Sequence, residues 1–225
     1  MDCGAIADVG PDLADVRPDV GSRIGTETCS NIDAMEERAR RIVETAVELA
    51  EKGGFEAVRL RDVAAHAGVA LGTLYRRFHS KEDLLLAAME LETQDLRARA
   101  LKRPPEGDTP FERVAGFFQQ MTRALLRRPN LARALVRALA TGEPALTQKV
   151  ATFHTDVGAL IIAALRGEPV GEVAAVTEHE QQIANVLQQV WFSSLIGWSA
   201  GLHGQSAIVD ATRTAARLLL ENSAA

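Results

Sequence analysis

One glycine, Gly68, separates two short helical patterns in the segment GFEAVRLRDVAAHAGVALGTLYRRFHSKEDLL, which covers residues 54–85. The first pattern contains Val63 and Ala64 and ends at this glycine, and the second covers residues 70–78. Glycine permits a tight turn between the two. Because longer helical patterns precede and follow the pair, the segment predicts a helix-turn-helix.

The second short helix has one inward and one outward face. Ala64 and Ala65 are small, so the two short helices can approach closely, and we expect Val69 and Leu74 to point into the core. The remaining positions of the second short helix then face outward and can contact a binding partner. They are Leu71, Gly72, Thr73, Tyr75, Arg76 and Arg77.

This outward face has the chemistry of a DNA-binding surface. Thr73 offers a methyl group and a hydroxyl, Tyr75 a phosphate donor, and the arginines can bind guanine or phosphate. Lys81 lies in the first turn of the next helix, where free N–H groups favour an anion. Between residues 59 and 81 there are five basic residues and one acidic residue. The candidate DNA contacts are Arg59, Arg61, Leu71, Gly72, Thr73, Tyr75, Arg76, Arg77, His79 and Lys81.

The rest of the chain also predicts helices and no convincing strand. Hydrophobic residues make up 47% of the sequence and charged residues 24%, the usual mix of a globular protein. A first helix is expected from a cap at Asn31 or Asp33 to Lys52, ended by Gly53 and Gly54. We predict an all-α fold of about nine helices, the later ones over residues 81–103, 111–128, 129–140, 143–165, 172–202 and 205–222.

The N-terminal segment differs from the rest in composition. Residues 1–32 carry six acidic and two basic residues, which account for most of the formal net charge of −5. We expect residues 1–31 to form a flexible arm. Its two cysteines, Cys3 and Cys29, are the only ones in the chain, and free thiols are the simpler interpretation. With no leader pattern and no long apolar run, the sequence favours a cytoplasmic protein.

The motif in residues 54–85 resembles the N-terminal signature of the TetR family of transcriptional regulators. The matching elements are G-F, D-V-A, A-G-V, G-T-L-Y, F and S-K-E-x-L, in that order. The resemblance implies a homodimeric, all-α repressor that releases DNA when it binds a small molecule. It also implies a DNA-binding domain over residues 32–80, with DNA contacts at Thr73, Tyr75 and Lys81, and a ligand-binding and dimerisation domain over residues 81–225.

The chain departs from this family pattern at a few positions of the motif. Ser or Thr commonly caps both short helices, and here Arg59 and Ala70 stand there. The two lost hydroxyls weaken capping by about 1 kcal/mol each. A polar residue is common where Leu71 stands, and His or Tyr where Arg77 stands. These departures leave open the alternative of a helical ligand-binding or scaffolding protein without specific DNA binding.

Aromatic residues recur on three helical faces of the C-terminal region, and these faces can enclose an apolar cavity or simply form the core. Because no charged residue clearly converges on them, a cavity here favours a small hydrophobic effector. His154 and Thr155 are polar neighbours that could orient it. The candidate pocket residues are Phe117, Met121, Leu125, Phe153, Val157, Gln188, Trp191, Ser194, Leu195 and Trp198.

A small-residue edge follows on the long helix, at Ser193, Ser194, Gly197, Ala200, Gly201 and Gly204. In the family the last two helices form the dimer interface, and this edge fits it; close packing within one chain is the alternative. The stretches VALGTLYRRF and QVWFSSLIGW are also similar to the actinobacterial regulators of sterol and cholesterol catabolism. That similarity implies a sterol-derived acyl-CoA or similar lipid as effector.

Enzyme motifs are missing from the sequence. There is no G-x-S-x-G, P-loop or G-x-G-x-x-G pattern, and the five histidines show no metal-ligand spacing. Glu178, His179 and Glu180 resemble half of a zinc motif but lack its second histidine. We therefore expect neither catalysis, nor a metal, nor a cofactor.

Overall fold

The computed structural model describes residues 21–102, 106–169 and 175–221, with side chains from residue 35 onward and, in the fourth helix, as far as residue 98. Residues 1–39 and residues 40–225 form two separate units, and the sites discussed below lie in the second. All regular structure in the described ranges is helical, which confirms the all-α prediction. The helices are α1 (Gly21–Ala57), α2 (Leu60–His66), α3 (Leu71–Arg77), α4 (Lys81–Lys102), α5 (Pro110–Leu125), α6 (Pro129–Leu139), α7 (Thr147–Arg166), α8 (Glu178–Ser199) and α9 (Gln205–Leu220), with a 3₁₀ turn at Pro144–Leu146.

The first helix differs from its prediction at the N-terminus and agrees near its C-terminus. It begins at Gly21, so Asn31 and Asp33 lie inside it and do not cap it. The sequence before residue 35 has no apolar period, which is why the pattern could not locate this start. The helical backbone is interrupted at Gly53 and Gly54, where φ is −140° and +67°. Residues 1–20 of the predicted arm lie outside the described residues.

Two later helices begin after the predicted positions. α8 begins at Glu178, not at Glu172, because Thr177 and Glu180 form a capping box in which each side chain accepts from the other residue's backbone N–H. α7 begins at Thr147, not at Glu143, because the 3₁₀ turn that starts at Pro144 comes first. The sequence contains this capping-box spacing at Thr177 and Glu180, and it marks the start of α8.

The fourth helix follows the helix-turn-helix in the chain and packs against C-terminal helices. Its first turns bury Leu84, Leu85 and Leu86, and it packs against α6 and α7. α5 packs against α7 and α9, while α8 packs against α7 and α9. α4 therefore begins directly after the helix-turn-helix and continues among the C-terminal helices.

Candidate nucleic-acid interface and ligand cavity

The turn between α2 and α3 depends on a left-handed glycine. Gly68 has φ +67°, and an added Cβ would meet nothing within 4 Å, so the backbone conformation alone requires glycine here. The N–H of Gly68 donates to the Ala65 carbonyl at 3.3 Å, and the N–H of Val69 donates to the Ala64 carbonyl at 3.0 Å. These bonds close the C-terminus of α2 in a Schellman-like turn and orient α3.

The third helix is anchored at a few positions and exposes the rest. Leu74 is buried and Val69 packs against the same core, as predicted, and Phe78 is buried as well. Leu71 and Tyr75 are large side chains that remain 38% and 49% exposed. Neither Arg59 before α2 nor Ala70 before α3 makes a side-chain cap. α2 and α3 thus lack side-chain caps and are stabilised by their buried residues, while the side chains of Leu71 and Tyr75 face outward.

The arginines of the predicted contact set are exposed. Arg59, Arg61, Arg76 and Arg77 are all exposed. Arg76 Nη2 lies 3.3 Å from Thr73 Oγ1, and Arg61 Nε lies 3.7 Å from Asp62. These four arginines are therefore exposed, and their contact with phosphates and base edges stays a prediction.

Lys81 and His79 have protein partners in addition to their place near this surface. Lys81 Nζ donates to Glu56 Oε2 at 3.3 Å and lies 3.9 Å from the centroid of the Phe55 ring. The backbone N–H of His79 donates to Asp83 at 2.9 Å. Contact of either side chain with DNA stays a prediction, and for Lys81 it competes with the Glu56 and Phe55 contacts.

The side chain of Ser80 caps the start of α4. Ser80 Oγ accepts from the Asp83 N–H at 3.1 Å. Asp83 is buried and also binds Lys149 of α7. Burial raises the pKa of Asp83, but hydrogen bonds from Lys149 and from the His79 backbone outweigh it, so its pKa lies below the usual value. The first turn of α4 is thus ionically bound to the C-terminal region.

A second connection, which we call the Phe55 clasp, links the end of α1, just before the helix-turn-helix, to α6. It consists of Phe55, Glu56, Lys81 and Arg137. Arg137 Nη1 donates to Glu56 at 2.8 Å, and its guanidinium lies 4.1 Å from the Phe55 ring centroid. Hydrogen bonds from Lys81 and Arg137 lower the pKa of Glu56, which keeps it charged. Sequence reasoning missed Phe55, Glu56 and Arg137 because their partners are far apart in the chain.

A cavity of about 310 Å³ lies between α4, α5, α7 and α8. Five of the predicted pocket residues line it, namely Met121, Leu125, Phe153, Val157 and Trp191. Trp191 is held in this wall because its Nε1 donates to Thr122 Oγ1 at 2.9 Å. These five residues give the cavity an aromatic and apolar part of its wall, which fits the chemistry expected of a site for a hydrophobic ligand.

The other five predicted pocket residues do not line this cavity. Phe117 and Leu195 are buried in the core, and Trp198 is buried with the Arg133 guanidinium 4.6 Å from its ring centroid. Ser194 Oγ donates to the Val190 carbonyl at 2.8 Å. Gln188 is buried one turn before Trp191. The helical period of the sequence predicts that all ten candidate pocket residues face inward. It does not distinguish a residue that lines a cavity from one that packs in the core.

Sequence analysis also missed the contribution of α4 to the cavity. Met89, Thr93 and Leu96 lie on one face of that helix and line it, together with charged residues that the sequence did not predict. The spacing of four and three residues was visible, but the apolar residues of α4 were attributed to the core. The charged lining residues are Glu92, Asp95, Arg127 and Arg128, of which Arg128 pairs with Glu92 and Glu51.

The residues described contain neither a candidate membrane span nor a candidate metal site. None of the helices described is long and apolar enough to cross a membrane. No group of three or more His, Cys, Asp or Glu side chains in those residues could hold a metal ion.

A helix-turn-helix with an exposed cationic second helix, joined by one helix to a helical domain with an apolar cavity, defines the class of ligand-responsive DNA-binding regulators. The chain belongs to the tetR family of bacterial regulatory proteins. The model of that family matches residues 42–88, and the tetracyclin repressor-like, C-terminal domain model matches residues 107–219. The resemblance of the motif in residues 54–85 to this family is thereby confirmed.

Curated relatives and solved structures agree with this assignment. The chain is 35% identical to the HTH-type transcriptional repressor KstR of Rhodococcus jostii, over 84% of this chain and 85% of the relative. It is 33% identical to KstR of Mycobacterium tuberculosis, over 84% and 83%. A TetR transcriptional regulator from Rhodococcus sp. RHA1 superposes with a TM-score of 0.72 at 29% identity, over 84% and 100%. The Thermus thermophilus repressor FadR in complex with lauroyl-CoA has the same fold, with a TM-score of 0.61 at 21% identity over 83% and 95%.

Proposed function

We propose that the protein is a dimeric repressor that binds a pseudo-palindromic operator and leaves it when a hydrophobic effector enters the cavity lined by Trp191. The observation that carries this proposal is the position of α4. Its first turn lies beside the helix-turn-helix, and its later residues Met89, Thr93 and Leu96 form a wall of the cavity. A ligand that shifts this wall moves the same helix that supports the DNA-binding surface.

The operator contacts follow from the exposed surface of α3. Each α3 enters one major groove, with Thr73, Tyr75, Arg76 and Arg77 toward the DNA and Arg59 and Arg61 on the flanking backbone. A dimer places two such helices on half-sites about one helical turn apart, or a multiple of it. A bacterial repressor that binds operator DNA acts in the cytoplasm. This proposed role includes no catalytic step.

Dimerisation through α8 and α9 is supported by apolar residues that the single chain leaves exposed. Ile196 on α8 and Leu218 on α9 are among them, and Leu202 between the two helices is 80% exposed. Gly197 of the small-residue edge serves contact within the chain, because a Cβ there would lie 2.5 Å from His203 Nε2. The edge is therefore divided between internal packing and the proposed interface.

The effector is a lipid-like molecule with a large apolar part. The cavity wall is mainly apolar and aromatic, and Arg127 beside it offers a positive charge to an anionic head group. The similarity to the regulators of sterol catabolism and the acyl-CoA bound by FadR both favour a sterol-derived or fatty acyl-CoA. Binding switches the protein only if the effector prefers the conformer that releases DNA.

Operator binding measured with and without effector tests this proposal. A duplex from upstream of the protein's own gene is titrated by gel shift at moderate salt, alone and with a saturating long-chain acyl-CoA. We expect the duplex to bind more tightly than random DNA and the acyl-CoA to weaken that binding. Equal affinities with and without effector would reject the switch.

A second candidate function has one observation in its favour, since neither α2 nor α3 has a side-chain cap. A helical ligand-binding or scaffolding protein could keep the cavity and lose specific DNA recognition. The same gel shift separates the two functions, because that protein binds its upstream duplex no more tightly than random DNA.

A further inference from the structure

A second pocket, which we call the side pocket, adjoins the cavity lined by Trp191. It lies between α4 and α7, has a volume of about 130 Å³ and has Leu86 and Thr152 among its lining residues. Thr93 of α4 and Phe153 of α7 line both spaces. These two side chains therefore form the partition between the side pocket and the cavity of about 310 Å³.

Both members of this partition are held in place by other parts of the chain. Thr93 is buried, and its hydroxyl donates to the Met89 carbonyl of its own helix at 2.8 Å. Phe153 is 8% exposed, and its ring lies 5.6 Å from the His154 ring in an edge-on contact. Because the aromatic ring is the larger of the two side chains, Phe153 is the main barrier between the two spaces.

The charged side chains of the side pocket already have partners within the chain. The pairs are Lys149 with Asp83, Asp156 with Arg97 and Glu90 with Gln94. An alkyl group placed beside them therefore leaves no charge without a partner. The buried side chain of Leu86 and the ring of Phe153 give such a group an apolar surface to pack on.

We infer that Phe153 sets the length of the alkyl chain that the effector can bury, because it closes the cavity toward the side pocket. This inference rests on the proposed role of the cavity as the effector site. Each methylene group that enters the cavity strengthens binding by about fourfold, the usual effect of burying one such group. Methylene groups that cannot pass Phe153 stay in water and add nothing, so the affinity stops rising at a particular chain length.

A series of straight-chain alkanoates from hexanoate to tetradecanoate tests the inference. Their dissociation constants are measured by isothermal titration calorimetry on the full chain without DNA, below the concentration at which each alkanoate forms micelles. The proteins are the wild type, Phe153→Ala, Phe153→Leu and the control Phe192→Ala. Phe192 is a half-buried residue of α8 that also contacts the His154 ring and lines neither space, so the control makes the same change outside the partition.

We expect the affinity of the wild type and of Phe192→Ala to rise about fourfold per methylene group up to the same chain length and then to level off. In Phe153→Ala the rise should continue to a longer chain, because the end of the alkanoate enters the side pocket. Adding Thr152→Phe to Phe153→Ala should restore the wild-type limit. Thr152 lines the side pocket and not the cavity, so a ring at this position takes up the added room.

Three results would overturn the inference. They are the same chain-length limit in the wild type and Phe153→Ala, a longer limit in Phe192→Ala as well, and a longer limit that persists in the double variant. If Phe153→Ala does not fold, Phe153→Leu decides in its place, since it removes the ring and keeps an apolar side chain, and its limit should also lie at a longer chain.

Failure of the proposed function gives a different result in the same experiment. A wild type that binds no alkanoate would contradict the proposed hydrophobic effector and this inference together. Alkanoate binding with a limit that does not move in Phe153→Ala would reject the role of Phe153 alone. Because no DNA is present, a chain that binds no operator can still pass the test.

Discussion

The guanidinium of Arg137 lies 4.1 Å from the centroid of the Phe55 ring and donates to the adjacent Glu56 at 2.8 Å. These contacts join α6 to the residues that lead into the helix-turn-helix. Lys81 contacts the same ring and the same carboxylate from the first turn of α4. The Phe55 clasp therefore links α1, α4 and α6.

Removing Arg137 should loosen the helix-turn-helix against α6. We expect Arg137→Ala to bind the operator about threefold to tenfold more weakly, given the usual size of one exposed cation–π contact and one ion pair. Fluorescence anisotropy with labelled operator measures the affinity. Arg123→Ala, which removes an exposed arginine of α5, is the matched control for the lost charge. If Arg123→Ala loses as much operator affinity as Arg137→Ala, the loss comes from the removed charge and not from the clasp. A changed salt dependence of binding in Arg137→Ala would indicate that Arg137 contacts DNA directly.

Two glycines of the helix-turn-helix should respond to alanine in opposite directions. Gly68 has positive φ, so Gly68→Ala should lower the free energy of unfolding by about 1–2 kcal/mol. Gly72 lies inside α3 with open space around it, so Gly72→Ala should raise that free energy by about 0.5–1 kcal/mol. Urea unfolding followed by circular dichroism gives both values. A stabilising Gly68→Ala would contradict the assigned turn conformation.

The hydroxyl of Tyr75 should contribute affinity without sequence information. We expect Tyr75→Phe to weaken binding about twofold to tenfold on every operator variant, because a phosphate contact is shared by all sequences. Titration of a set of operators with single base changes measures this. Thr214→Val, which removes an exposed hydroxyl on α9, serves as the control. Altered base preference with unchanged affinity would show that Tyr75 reads a base.

The capping box of α8 makes part of the free energy of unfolding depend on pH. Hydrogen bonds from Arg166 and from the backbone and side chain of Thr177 lower the pKa of Glu180 from 4.5 to about 2. A carboxyl with a lower pKa in the folded chain stabilises the fold above its unfolded pKa, and this contribution is lost as the pH falls through the folded value. The stabilisation should thus be complete above pH 4.5 and disappear toward pH 2.

The variant Glu180→Gln tests this dependence by urea unfolding at several pH values. Wild type should be more stable than the variant at pH 6, by less than about 1 kcal/mol because solvent screens the pair, and the two should converge toward pH 2. Glu178→Gln, in the same first turn, is the control. A difference between wild type and Glu180→Gln that persists unchanged at pH 2 would contradict the pKa assignment.

The sequence predicted the helix-turn-helix well because its determinants are local. Gly68, the buried Leu74 and the Ser80 cap act within a few residues of their own positions. The Phe55 clasp and the α4 wall of the cavity depend on contacts between distant segments, such as Phe55 with Arg137. Helical period identifies an inward face, but it does not say whether that face meets another helix or an empty space. This is why Phe117, Leu195 and Trp198 were grouped with Trp191.

The hydrogen bond that fixes Trp191 to Thr122 gives the molecule its own optical reporter. Trp191 and Trp198 are the two tryptophans of the chain, and Trp198 lies away from the cavity under Arg133. With its N–H satisfied by Thr122 at 2.9 Å, the Trp191 indole presents its ring to whatever fills the space beside it. Emission from the unlabelled protein can therefore follow occupancy of the cavity in real time, with the second tryptophan as an internal reference.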